Sequence, residues 1–518
     1  MTEQTYPNAT LTGDIATAAG HPSEREIRQV FAGLIIVLAL GAIDQSIVAT
    51  ALPRIVRDLG GISHLSWVVT AYVLASTATM PLYGKLSDQY GRKPMIFAAI
   101  LTFLLGSALS GAAQSLTELI VFRAIQGLGA GGLLPLAQII IGDMVPPKQR
   151  GRRQGVIAAV FAICSVFGPI LGGLITDLWS WHWIFYVNLP VGAVALLMIG
   201  RTLRQYAPLH KRRIDYLGSV LLTSCTIALL LVLTLGGSAW AWDSAAILGL
   251  SACVALLGVA FVRHTRHVPE PVLPLDLFRN RLFVIACTVL ALTFMGLLGA
   301  TLFFPLFFQL VMGVSPARSG LLTGPLMVGM AAASLFNGRV LLRSGRYKPA
   351  QVTGLAIATI AFGVLAWSAS TSQGLVVIEP AMLSLGVGLG LVMPNMTIAV
   401  QNALSPMHRG VGTATLAFFR SLGGLIGVAG SGAILAWQIR SFGGAHAPST
   451  AMLAESGAAP ADALSPQLQA AAVMVYRHAI ASTFIVGTCI VACAFLVILL
   501  LPEIPLHDHH HAPAAPAK

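Results

Sequence analysis

Long apolar runs recur along almost the whole chain, separated by short stretches where glycine, proline and charged residues collect. A helix crossing the hydrocarbon layer needs about 20 apolar residues. Fourteen runs fit: roughly 30–53, 67–84, 95–114, 117–142, 154–177, 184–201, 216–236, 245–262, 282–311, 319–338, 350–370, 375–402, 411–437 and 480–501. The pattern predicts an all-α polytopic membrane protein. The first 29 residues are polar and lack the apolar core of a cleavable leader, so span 1 is expected to stay as an anchor. Two longer stretches carry no span. Residues 202–215 (TLRQYAPLHKRRID) read as a basic connection, and 438–478, rich in Ala, Ser, Gly and Pro, as an external loop.

The runs are not all independent. GLGAGGLLP in span 4 (Gly127–Pro135) and GVGLGLVMP in span 12 (Gly386–Pro394) share the form G-x-G-x-G-x-x-x-P, 259 residues apart. GKLSDQYGRKP (Gly84–Pro94), which follows span 2, has a worn copy in GRVLLRSGRYKP (Gly338–Pro349). There Gly338 stands for Gly84, Gly345 for Gly91 and Leu342 for Asp88. Spans 1–6 and 9–14 therefore read as two pseudo-symmetric six-helix bundles with spans 7 and 8 inserted between them. The expected division is a tail (1–29), a first bundle (30–205), the inserted pair (206–265), a second bundle (266–502) and a tail (503–518). Paired repeats with a site between them are usual in secondary transporters.

Composition supports the membrane reading. Only 10% of residues are charged and 56% are hydrophobic, against about 25% charged in soluble domains. The net charge of +12 could suggest nucleic acid, but its distribution does not. With both termini placed in the cytoplasm, 24 of the 31 lysines and arginines fall on the cytoplasmic side. That bias follows the positive-inside rule and reports orientation. The six cysteines lie inside spans without metal-ligand spacing, and the tail HDHHHAPAAPAK reads as a solvated end.

Several motifs occur in a fixed order: DQSIVATALP (44–53), GKLSDQYGRKP, FRAIQGLGAGG (122–132), GPILGG (168–173), SWHWIFYVNLPVG (180–192) and PLDLFRNRLF (274–283). Together they resemble the major facilitator superfamily, and within it the fourteen-helix drug:proton antiporters. The resemblance implies the major facilitator fold and multidrug efflux, with consequences for antibiotic resistance. It also implies location in the cell (inner) membrane.

The candidate chemistry sits on few residues. Asp44 lies inside span 1, where an ionised group costs on the order of 3 kcal/mol or more and normally faces a cavity or a partner. It is the leading proton carrier; the alternative is a purely local hydrogen-bonding role. Arg123 in span 4 is placed to reach it, either for proton coupling or as a structural ion pair, and the resemblance implies proton transfer for this arginine. Glu379 in span 12 is a further candidate for proton handling, or else an interfacial group.

In the turn after span 2, Lys85, Arg92 and Lys93 can act as orientation anchors. An anionic residue has no such task, so Asp88 needs another explanation. A carboxylate is stabilised at a helix N-terminus. The resemblance places this aspartate against the start of span 13, near Gly410–Thr413. With Gly84, Gly91, Arg92 and Asp143 it forms an expected conformational latch.

Gly168, Pro169, Gly172 and Gly173 match the family's antiporter motif, although Cys164 stands where the fuller motif has glycine. A pocket between the bundles is expected from Trp67, Thr70, Tyr72, Phe304, Phe308, Gln309 and Arg420. Aromatics with few hydrogen-bonding groups suit lipophilic substrates, cations included. Trp181, Trp183 and Tyr186 read as interfacial aromatics. No G-x-x-x-x-G-K-[ST] loop occurs, so no nucleotide or other cofactor is expected and a proton gradient would drive the cycle.

The reading is secondary efflux of lipophilic, cationic drugs in exchange for protons, with the lipid bilayer as solvent and function as a monomer left open. The alternatives are export of one metabolite or siderophore, and proton-coupled uptake. An intramembrane enzyme would need a denser polar constellation than these separate spans offer.

Overall fold

The computed structural model describes residues 23–59, 66–203, 215–236, 240–301, 303–314, 316–371, 373–405, 408–443 and 466–503. Among them run fourteen long helices: α1 (Glu24–Leu59), α2 (Ser66–Tyr90), α3 (Arg92–Gly111), α4 (Leu116–Met144), α5 (Pro147–Leu178), α6 (Asn188–Thr202) and α7 (Tyr216–Leu235). They continue as α8 (Ala245–His267), α9 (Arg281–Thr301), α10 (Gly324–Ser344), α11 (Lys348–Thr371), α12 (Leu375–Ala403), α13 (Arg409–Gly443) and α14 (Pro466–Leu499). Thirteen of the apolar segments are long and hydrophobic enough to cross a membrane; α2 falls short. Its apolar run is diluted by Thr70, Ser76, Thr77, Thr79 and a charged end.

Helix ends follow local chemistry. Ser115 caps α4 by accepting from the Glu118 N–H at 3.2 Å, while Glu118 Oε2 accepts from the Gln114 N–H at 2.9 Å. Gly91 separates α2 from α3 with φ 94°, and Gly345 ends α10 with φ 63°. Both angles lie where a side chain is strained, so the two repeat mates meet the same backbone demand.

Each half packs alike. In the first bundle α4 lies against α2 and α3; in the second, α12 lies against α10 and α11. The bundles meet along two seams, α2 with α13 and α5 with α10, related by the repeat. Their cores are separate, and the seam between α2 and α13 adds only a small cluster of Met80, Ala417 and Phe418. The inserted pair, α7 and α8, pack on each other, and α7 rests on both α2 and α13.

Some expected boundaries differ. Residues 438–443 extend α13 and 466–478 begin α14, so the loop expected at 438–478 is helical at both edges. Residues 444–465, the His-rich tail, the N-terminal tail to 22 and most of the basic connection lie outside the described residues. Toward its end span 9 widens into a π turn at Phe307–Val311. Trp181 is fully buried rather than interfacial: its Nε1 donates to Asp58 Oδ2 at 3.1 Å and its ring stacks on His182. Burial pushes the His182 imidazole below its ordinary value.

Candidate functional site

Three places in this scaffold collect the chemistry. The first is a buried polar knot inside the first bundle. Asp44 and Arg123 have almost no exposed surface, and Arg123 Nη1 donates to Asp44 Oδ2 at 2.8 Å. The other carboxylate oxygen accepts from Gln126 Nε2 at 2.8 Å and Asn188 Nδ2 at 3.0 Å. Gln126 Oε1 in turn accepts from Arg123 at 2.8 Å, and Asn188 also donates to Ser107 Oγ at 2.9 Å. The guanidinium carbon lies 4.1 Å from the centre of the Tyr72 ring.

The arrangement satisfies an ionised carboxylate within hydrocarbon. Removing one member of a buried ion pair costs about 3–5 kcal/mol, because the remaining charge is unpaired. Sequence reasoning overlooked Gln126, Asn188 and Ser107. Two of them had a readable signal: Gln126 follows Arg123 by one helical turn, and Asn188 interrupts an apolar run.

The second place is the end of the molecule where α2 meets α13. Asp88 Oδ2 accepts from the Val411 N–H at 3.0 Å, in the first turn of α13. Its other oxygen accepts from Arg92 Nη1 at 2.5 Å. Arg92 Nε donates to Asp143 at 2.9 Å, and Arg409 of α13 reaches the same carboxylate at 3.4 Å. Gly84 makes room for this approach, since a Cβ there would lie 3.0 Å from Gly410 O and collide with Ala414.

The second seam closes in the same way: a Cβ on Gly338 would lie 2.6 Å from Gly151 O. Gly151 and Gly410 are themselves 259 residues apart, like the two glycine runs. Leu341 packs on Gly151. Leu342 replaces the aspartate in this half, so the carboxylate contact of Asp88 has no counterpart at that position. A further hydrogen bond from Gln401 Nε2 to Gln138 O, at 3.0 Å, ties α12 to α4 at this closed end.

Third, a cavity of about 1110 Å³ lies between the bundles. Its walls come from both halves and from α7, which supplies Leu233, Thr234 and Gly236. The hydroxyls of Thr77 and Ser421, 2.8 Å apart, join α2 to α13 at the cavity's edge. Thr70, Tyr72, Arg123 and Arg420 line it, whereas Asp44 sits one layer behind Arg123 and Tyr72.

Other expected residues are placed elsewhere. Trp67 and Glu379 do not line the cavity, and Glu379 forms no hydrogen bond with Asp44 or Arg123. Phe304, Phe308 and Gln309 also lie outside it. Phe304 packs on Phe484 of α14, with ring centres 5.2 Å apart. Phe308 is fully buried, and Gln309 Nε2 donates to Ser319 Oγ at 3.4 Å.

The expectation of a cationic substrate also meets contrary electrostatics. The described lining residues include no carboxylate, and their charged groups are two guanidiniums. Within the GPILGG motif, Gly168 and Gly172 pack α5 against Ser46, Ile47 and Thr50 of α1, whereas Gly173 has nothing within 4 Å. The helix continues through Pro169 to Leu178.

Twin helical bundles around a central cavity, with inserted helices and an apolar exterior, define a multi-pass membrane transporter. Residues 34–428 match the Major Facilitator Superfamily, and the chain belongs to that family. It is 40% identical over 417 residues to the Multidrug transporter protein MdtP of Bacillus subtilis (strain 168), covering 80% of this chain and 76% of that protein. It is 31% identical over 530 residues to the Efflux pump FUS6 of Gibberella moniliformis, covering 98% and 92%. Among solved structures, the human organic anion transporter MFSD10 (TETRAN) aligns with TM-score 0.63 at 16% identity, over 91% of this chain and 99% of that one. The proton:xylose symporter XylE aligns with TM-score 0.65 at 14% identity, over 93% and 98%. These two likenesses concern the fold.

Proposed function

We propose that this transporter exports lipophilic compounds from the cell in exchange for protons, by alternating access in the cytoplasmic membrane. The observation that carries the proposal is the buried Asp44–Arg123 pair, in which Arg123 is part of the cavity wall and Asp44 lies directly behind it. An acid that is satisfied when ionised, and stranded when its arginine leaves, couples proton binding to movement of the wall. The excess of basic residues puts the latch end, and with it both termini, in the cytoplasm. In this reading the latch contacts close the inner end, and the cavity lining extends from there to Gly236 at the far end of α7. Relatives named for multidrug transport and efflux support export over uptake. A cavity of this volume suits drug-sized molecules.

The test uses inside-out membrane vesicles with an acidified lumen. A lipophilic dye should accumulate while the gradient lasts and leak away when it is collapsed. Asp44→Asn should reduce accumulation to the level of vesicles lacking the protein. Accumulation indifferent to the gradient would rule out proton exchange.

A further inference from the structure

Arg420 is the charged group of the cavity that the proposed proton pathway does not use. It lines the cavity on α13, next to Ser421, whose hydroxyl meets Thr77 across the seam. Its guanidinium forms no ion pair and no hydrogen bond with any described residue. Its recorded neighbour is the face of the Phe294 ring, 5.2 Å from the guanidinium carbon. Arg123, the other guanidinium of the lining, is neutralised by Asp44.

A guanidinium cannot shed its proton in a protein, so its charge must be met by an anion or by water. Beside it the wall is apolar: Leu290, Phe294, Leu297, Met327 and Met393 line the same cavity. A fixed cation at the boundary of a greasy chamber fits a molecule with an acidic head and an apolar body.

We infer that Arg420 is an anion-binding subsite, and that the favoured substrates are lipophilic acids such as carboxylates, sulfonates or acidic phenols. The inference rests on the export reading above. The head would pair with the guanidinium's forked donors, and the body would lie against Phe294 and the methionines. Export of an anion against an incoming proton moves both charges in the direction that an inside-negative potential favours. The same cation would repel the cationic drugs suggested by the aromatic content of the sequence.

Three pyrenes with one aromatic body test the idea: pyrenesulfonate, hydroxymethylpyrene and a pyrenylmethyl trimethylammonium salt. The sulfonate and the ammonium stay ionised at every pH used, so a pH gradient does not trap them by itself. In inside-out vesicles with an acid lumen, the wild-type protein should accumulate the sulfonate best and the ammonium least. Arg420→Gln should lower the sulfonate-to-hydroxymethyl uptake ratio at least tenfold, and Arg420→Lys should restore most of it. Because the readout is a ratio, a change in the amount of folded protein does not alter it.

A wild-type preference for the ammonium, or a ratio untouched by Arg420→Gln, overturns the subsite and leaves proton-driven export standing. If the gradient drives none of the three pyrenes, the export reading falls and the subsite falls with it.

Discussion

Asp44 shows how much a single position in a membrane helix can reveal, and where that stops. An ionisable group inside span 1 announces itself, because hydrocarbon tolerates it only with partners. Arg123 was legible for the same reason. The amides that complete the knot were harder to find, since Gln126 and Asn188 carry no charge and become informative only when α4 and α6 meet over α1. Asn188 gives a direct test of the knot. Asn188→Leu removes one donor from the Asp44 carboxylate and leaves Ser107 without that partner. A hydrogen bond to a charged group contributes about 1.5–3 kcal/mol. Thermal unfolding in detergent should therefore occur at lower temperature in the variant, while Asn188→Asp, which sets a second carboxylate beside Asp44, should be worse still. An unchanged unfolding temperature in Asn188→Leu would remove Asn188 from the network.

At the scale of elements, the inserted pair α7–α8 has a definite anchor. Asp215 caps α7 by accepting from the Gly218 N–H at 2.8 Å, lies 2.7 Å from His264 Nε2 of α8, and accepts from the Val272 N–H at 3.4 Å. Burial alone would push this carboxyl up, but the hydrogen bonds from His264, Gly218 and Val272 outweigh it and hold it below the usual carboxylate range. A depressed folded value means that the stabilisation is complete above about pH 4 and is lost as the pH falls through the lower folded value. The hairpin should therefore stay intact across physiological pH and loosen only in strong acid. Asp215→Ala should remove a cap worth about 1–2 kcal/mol and speed amide exchange at the start of α7 by roughly 5- to 30-fold at neutral pH. Exchange equal to wild type there would show that the hairpin is held by its apolar packing alone.

At the scale of the molecule, two rigid cores joined by glycine-lined seams suit rocking of one bundle against the other. The closed end is nearly symmetric in its backbone contacts, Gly84 on the start of α13 and Gly338 on the start of α5, yet the Asp88 carboxylate has no counterpart at Leu342. Opening this end should therefore be controlled from the Asp88 side. Asp88→Asn keeps the shape but gives up two charge-assisted contacts, which together exceed about 1.4 kcal/mol, a tenfold change in population. Spin labels at positions 90 and 408, in a cysteine-free background, should report one short distance in the parent and a second, longer population in Asp88→Asn. A distance distribution unaffected by the substitution would show that the carboxylate does not hold this end shut.

The chain's own pattern determined that it spans the membrane many times, that it is built twice over, and that Asp44, Asp88 and Arg123 are out of place unless they have work to do. It could do so because hydrocarbon imposes a length on each helix and an energetic cost on each charge, and both are written locally. The tertiary structure decided what no local rule reaches. It set Asp44 behind the cavity wall rather than in it, brought Gln126 and Asn188 to the same carboxylate, and buried Phe304 and Phe308 away from the cavity. It also left Arg420 facing the cavity with no counter-charge among the described residues. Those outcomes depend on which helix faces meet, and a face is fixed by every neighbour at once.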